Sequence, residues 1–169
     1  EETSTQASDK TFHKIELDIL IIRATKLPEA AGLFHCDPYV LVAVVDGNPL
    51  SDEALNGGEE WYGQHEQYHA ETDTLESTTE PEWRCRLRAQ VRPRPNTYIH
   101  FRIFDHDAAA ATDRGIGQAA VTLRDVQKNV FHGPRPIALE PFNKRSGRAW
   151  GDLRHARLFF SIGWEGTGA

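Results

Sequence analysis

From Trp83 to Arg92 the chain alternates without a break. Trp83, Cys85, Leu87, Ala89 and Val91 are apolar, and Arg84, Arg86, Arg88, Gln90 and Arg92 stand between them. On a helix this pattern would scatter the apolar residues around the whole circumference; on a strand it turns them all to one side. The segment is therefore predicted to be a strand with one dry face and one solvated face. A single strand cannot bury a face alone, so the chain must supply a sheet and a second layer to pack on it.

The rest of the sequence supplies both. Ile15, Leu17, Ile19 and Ile21 share one face, with Glu16 and Asp18 opposite. Ile99, Phe101 and Ile103 repeat the period, and Leu158, Phe160, Ile162 and Trp164 close the series. Tyr39 to Val45 is an almost wholly apolar run. Gly117 to Leu123 and Arg135 to Leu139 are weaker candidates. Turn signals separate these runs, at Asp46-Gly47-Asn48-Pro49, at Arg92-Pro93-Arg94-Pro95-Asn96 and at Ser146-Gly147. No sustained helical period appears, beyond one short turn expected near Leu123 to Val130. The expectation is an all-β chain forming an eight-stranded antiparallel β-sandwich.

At 169 residues the chain is long enough for one domain with a sizeable core. We expect a flexible leader over 1–13, a sandwich domain over 14–165 and a tail over 166–169. The polar, glycine-rich stretch 46–60 reads as a loop insertion within that domain. The chain opens on Glu1 and contains no methionine, which suggests a piece of a longer polypeptide or a processed product. Its net charge of -6 argues against nucleic acid and against passive adhesion to an acidic membrane. Two cysteines, Cys36 and Cys85, fit a reduced, cytoplasmic setting better than a disulfide framework, although they could pair. No apolar run approaches the roughly 18 residues that cross a bilayer.

The sharpest chemical feature is Phe104-Asp105-His106-Asp107, followed by four alanines and Thr112-Asp113. Carboxylates crowded into one loop repel each other unless something offsets their charge. Calcium is a hard cation that takes oxygen ligands from flexible loops, so the pattern suits it. A solvated acidic turn is the plain alternative, since Asp is common in turns.

Several dispersed segments, in order, resemble the C2 domain family. Leu27 to Val40 looks like the first calcium loop of that family, ending in its Asp-Pro-Tyr-Val hallmark at residues 37–40. Thr78-Thr79-Glu80-Pro81-Glu82-Trp83 is similar to the Thr-Leu-Asn-Pro-x-Trp element that opens a later strand. Asp105-x-Asp107 and Asp113 have the spacing of the third loop, and Gly115-Ile116-Gly117 stands where the family has Phe-Leu-Gly or Ile-Gly. The extra strand Ala156 to Trp164 at the end of the chain resembles the type II topology.

The resemblance implies calcium (Ca2+) held by Asp37, Asp105, Asp107 and Asp113, four of the family's five aspartates. The fifth position falls on Ala31, which implies fewer ions or weaker binding. It implies a module that carries a larger protein to anionic phospholipid membranes when calcium reverses the sign of the loops, giving peripheral membrane association in the cytoplasm. Leu33 and Phe34, near the tip of the first loop, are the expected membrane contacts; isolated apolar loop residues also cap cores. The lysine-rich concave face of many C2 domains has no counterpart, because Val40 to Val44 is apolar and Ala70 to Glu76 is acidic. The arginines at 84, 86 and 88 read as a solvated stripe, with a lipid or partner patch as the other use.

Two other functions compete. One is a calcium-independent C2 scaffold that binds protein partners, suggested by Ala31 and the missing basic groove. The other is a zinc hydrolase, since His65-Glu66-Gln67-Tyr68-His69 matches H-E-x-x-H. That chemistry needs both histidines on one helix face. No amphipathic helix frames the match, and the stretch is expected to run into an exposed strand with both histidines on one side. No serine or cysteine nucleophile constellation and no phosphate loop is present, so the chain is read as a non-enzyme.

Overall fold

The structure, a computed structural model, describes residues 13–28, 36–107, 112–128, 135–142 and 151–166. Eight strands form two antiparallel four-stranded sheets. The strands are β1 (Ile15–Thr25), β2 (Pro38–Asp46), β3 (Glu66–Glu71), β4 (Glu82–Val91), β5 (Thr97–Asp105), β6 (Arg114–Thr122), β7 (Arg135–Ala138) and β8 (Arg157–Gly166). The first sheet runs β4-β1-β8-β7 and the second β3-β2-β5-β6. The last strand thus lies between β1 and β7, where a type II chain order puts it.

The period-2 strands turn their apolar faces to the space between the sheets. Leu17, Ile19, Ile21, Val40, Val42, Val44, Ile99, Phe101, Ile103, Leu158 and Phe160 are wholly buried there. Phe101 and Phe160 meet across the middle, ring centroids 4.7 Å apart. Burying each such side chain stabilises the fold by roughly 1.5–3 kcal/mol before entropy is charged. This layer is what makes the two sheets one body.

Among the described residues, two helices interrupt the strands. In α2 (Leu123–Gln127), the turn expected near Leu123, the Thr122 side chain accepts the Asp125 N–H. The other, α1 (Asp52–His65), corrects the expected loop insertion at 46–60. The Ser51 hydroxyl accepts the Ala54 N–H at 3.2 Å, and Asp52 and Glu53 place negative charge in the first turn. Gly58, at φ 55 and ψ -137, kinks the helix in a conformation only glycine takes easily.

The kink and the spacing of Ala54 and Trp61 let α1 lie on the outer face of the second sheet. Ala54 and Trp61 pack there on Ala43 and Val45, a small second core separate from the main one. That is why Tyr39 to Val45 is apolar throughout: β2 is covered on both faces over part of its length.

Candidate functional site

Three turns of chain meet at one end of the sandwich, and hydrogen bonds fix how. β2 pairs β5 with Pro38 opposite Asp105, and the pairing continues into the loops. The Asp37 N–H donates to Asp105 Oδ1 at 2.8 Å, and the His106 N–H donates to the Asp37 carbonyl at 2.9 Å. The segment before β4 lies against them. Ser77, in the left-handed region at φ 52, aims its N–H at Asp37 Oδ1 (2.8 Å), and the Thr78 N–H donates to the Cys36 carbonyl. At a bulge in the β1–β4 pairing, the Trp83 indole N–H donates to the Pro38 carbonyl at 3.2 Å. The Thr-x-x-Pro-x-Trp element is therefore the support on which Asp37 rests.

Asp37 and Asp105 are in direct contact through this stitch, with Asp105 only 6 % exposed. Burial pushes the Asp105 carboxyl up, and the charges of Asp37 and Asp107 push it the same way against the Asp37 N–H and Arg114. Cys36 beside them feels the same field: burial first, then Asp105 and Asp37, raise its thiol to about 12. Cys36 and Cys85 are both free thiols.

Asp113 behaves differently. Its Oδ2 accepts the Tyr39 hydroxyl at 2.6 Å, its Oδ1 accepts the Asp107 N–H at 3.1 Å, and His106 Nδ1 lies 3.2 Å from Oδ1. These donors, Tyr39 foremost, hold its carboxyl below the ordinary carboxylate range. The structure thus brings the four aspartates to one end of the sandwich but points Asp113 at Tyr39 and His106. Among the described residues, no three acidic, histidine or cysteine side chains converge as a metal cage. As a donor set, the carboxylates suit a hard oxygen-seeking cation. Leu33, Phe34, Ala31 and the alanines 108–111 lie outside the described residues.

The zinc-protease match loses its geometry. His65 ends α1, its ring stacked on Trp61 at 4.2 Å with Nδ1 2.6 Å from the Trp61 carbonyl oxygen. His69 stands on β3, its Nδ1 2.5 Å from Glu66. The pair shares neither a helix face nor the strand face expected from the sequence, because the helix ends between them. The arginine stripe is neutralised on the spot: Arg84 faces Glu82 at 3.6 Å, Arg86 binds both carboxylate oxygens of Asp18, and Arg88 lies 3.9 Å from Glu16.

Sequence reasoning missed Tyr39, His106 and Ser77 as partners of the aspartates. Tyr39 was visible only as part of a motif, and its bond to Asp113 spans 74 positions. It also missed the outer face of the second sheet. There the Tyr62 hydroxyl meets His100 Nδ1, His100 Nε2 lies 2.9 Å from Gln118 Oε1, and the Gln118 amide donates to the Pro141 carbonyl at 3.3 Å.

Comparison with known proteins bears on the fold. A family model for the C2 domain matches residues 15–136. No curated protein sequence matches. Among solved structures, a C2 domain of plant extended synaptotagmin 1 is similar, with TM-score 0.62 and 14 % identity, over 91 % of this chain and 96 % of that one. The calcium-bound tandem C2 domains of extended synaptotagmin 2 give TM-score 0.61 and 17 % identity, over 88 % of this chain and 45 % of that one. Human GIVD cytosolic phospholipase A2 gives 0.62 and 14 %, over 92 % of this chain; this chain spans 18 % of the enzyme's length. At these identities the likeness is one of fold.

Proposed function

The chain belongs to the C2 domain family, and from that premise we propose that it is a calcium-dependent phospholipid-binding module that carries a larger protein to membranes. The single observation behind this is the crowding at Asp105, a nearly buried carboxyl pushed up by burial and by the charges of Asp37 and Asp107. A cluster held together against its own repulsion is stabilised by a cation more than by water.

In this proposal Asp37, Asp105 and Asp107 are the first ligands. Asp113 joins them by giving up its bonds to Tyr39 and His106, which weakens binding beyond the loss already expected from Ala31. Bound calcium supplies positive charge and open positions for phosphate oxygens of an anionic lipid. The protein supplies the rest: Ser77 and the Asp37–Asp105 stitch keep the carboxylates in place, and Leu33 and Phe34 are the proposed contacts with the headgroup region. The setting is the cytoplasmic surface of a membrane, bound peripherally; no helix among the described residues is long and apolar enough to cross one. The proposal gives the chain no catalytic step of its own.

Sedimentation with phosphatidylserine vesicles tests it. The chain should pellet with calcium and stay in solution with a chelator. Asp105→Asn/Asp107→Asn should lose at least roughly tenfold in calcium affinity, the lower bound seen even for outer-shell partners. Equal pelleting in both conditions sinks the proposal.

A second reading, a calcium-independent scaffold that binds protein, is favoured by Asp113 being already satisfied by Tyr39 and His106. It predicts no rise in melting temperature at millimolar calcium, whereas the first predicts a rise that the double variant lacks.

A further inference from the structure

The outer face of the second sheet holds a cavity of about 580 Å³ between α1 and β5, within the range of small-molecule sites. Leu41, Leu55, Phe104 and Phe142 give it apolar walls. Arg102 stands among them. Its guanidinium lies over the Tyr62 ring at 4.2 Å and within 6.0 Å of the Phe104 ring. Its Nε is buried with no hydrogen-bond partner, and among the described residues no carboxylate forms an ion pair with it. A cation held between two rings with an unanswered donor is a preformed receptor for an oxyanion.

The groups around it favour one class of ligand. Tyr62 is fixed by His100, and His100 by Gln118, so the ring under the guanidinium cannot swing away. His100 is 2 % exposed, and burial holds it as a neutral imidazole, one nitrogen on the Tyr62 hydroxyl and the other on Gln118. It therefore adds no charge to the floor. Glu59 and Glu66 line the same cavity. These two carboxylates leave no surplus of positive charge, so an anion is held only by direct contact with Arg102, and a multiply charged phosphate is disfavoured.

We propose that this cavity binds an amphipathic monocarboxylate, its carboxylate on Arg102 and its apolar body along Leu41, Leu55, Phe104 and Phe142. None of the four aspartates lines this cavity, so it is tested with calcium chelated.

Octanoate is titrated by calorimetry against the intact chain, beside octan-1-ol, which has the same body without the charge, and inositol trisphosphate, which has charge without the body. Saturable one-to-one octanoate binding is expected, weaker by at least about tenfold in Arg102→Gln and unchanged in Arg84→Gln. Leu55→Glu changes a 40 % exposed wall residue without touching Arg102, and it should also abolish binding, so it decides the matter if Arg102→Gln does not fold. No saturable octanoate binding at millimolar concentration, equal binding by Arg102→Gln or by octan-1-ol, or preference for inositol trisphosphate would each overturn the proposal.

Discussion

The two sheets share one inner core but present opposite solutions on their outer faces. On the first sheet, Glu16 and Asp18 of β1 meet Arg88 and Arg86 of β4 diagonally, with the arginine side chains 62 % and 59 % exposed. Such pairs exchange water for one another and contribute little. On the second sheet the outer face is itself a core: Ala43, Val45, Ala54 and Trp61 exclude water under α1, and His100 sits beside them, bonded on both sides. Charge keeps one face soluble at small energetic consequence. The other face stores stability, and a buried titratable group comes with it.

The contrast breaks most readily at Trp61. Trp61→Ala removes the largest side chain of the second core and should cost about 3–5 kcal/mol by urea denaturation, while the main core stays intact. A loss below about 1 kcal/mol would mean that α1 does not roof the sheet.

Acid should strike the same face next. Burial depresses His100 from the ordinary 6.5 to about 3, with Arg102 adding to the effect and Gln118 opposing it. Between those values the unfolded chain binds a proton that the folded chain refuses, so stability falls as pH drops below 6.5. The loss should reach about 2 kcal/mol by pH 5, and His100→Gln should remove that slope. Asp18 and Asp113, both held low, add their losses only as pH falls through the carboxylate range. A variant that keeps the wild-type slope between pH 7 and 5 would place the titrating group elsewhere.

The smallest effect sharpens the other side. A double-mutant cycle on Asp18 and Arg86 should give a coupling below about 1 kcal/mol, shrinking further in 1 M salt. A larger, salt-resistant value would put the two outer faces on the same footing.

The sandwich was legible because its signals are local. Trp83 to Val91 announces its pleat residue by residue, and β1, β5 and β8 do the same. The helix over Asp52–His65 was not, since Gly57 and Gly58 lie in its middle and only Ala54 and Trp61, seven positions apart, are buried. Its legible traces were Ser51 followed by Asp52 and Glu53, and the unexplained apolarity of Leu41, Ala43 and Val45 opposite the core face of β2. The aspartate positions could be named from motif spacing. Where Asp113 turns could not, because Tyr39, His106 and Asp107 compete for it through space.

By itself the sequence determined the alternation of faces, hence two sheets and a shared core, and it put four aspartates in the loops at one end. The first follows from chain geometry, in which neighbours two apart share a side whatever lies beyond them, and the second from the resemblance to the C2 family. Only the tertiary structure decided what covers the outer face of β2, which bonds Asp113 makes and that the buried Arg102 Nε meets no acceptor among the described residues. Those outcomes depend on groups distant in sequence meeting through space, and where they meet out of water an unpaired polar group or a missing ring costs far more than any local preference can express.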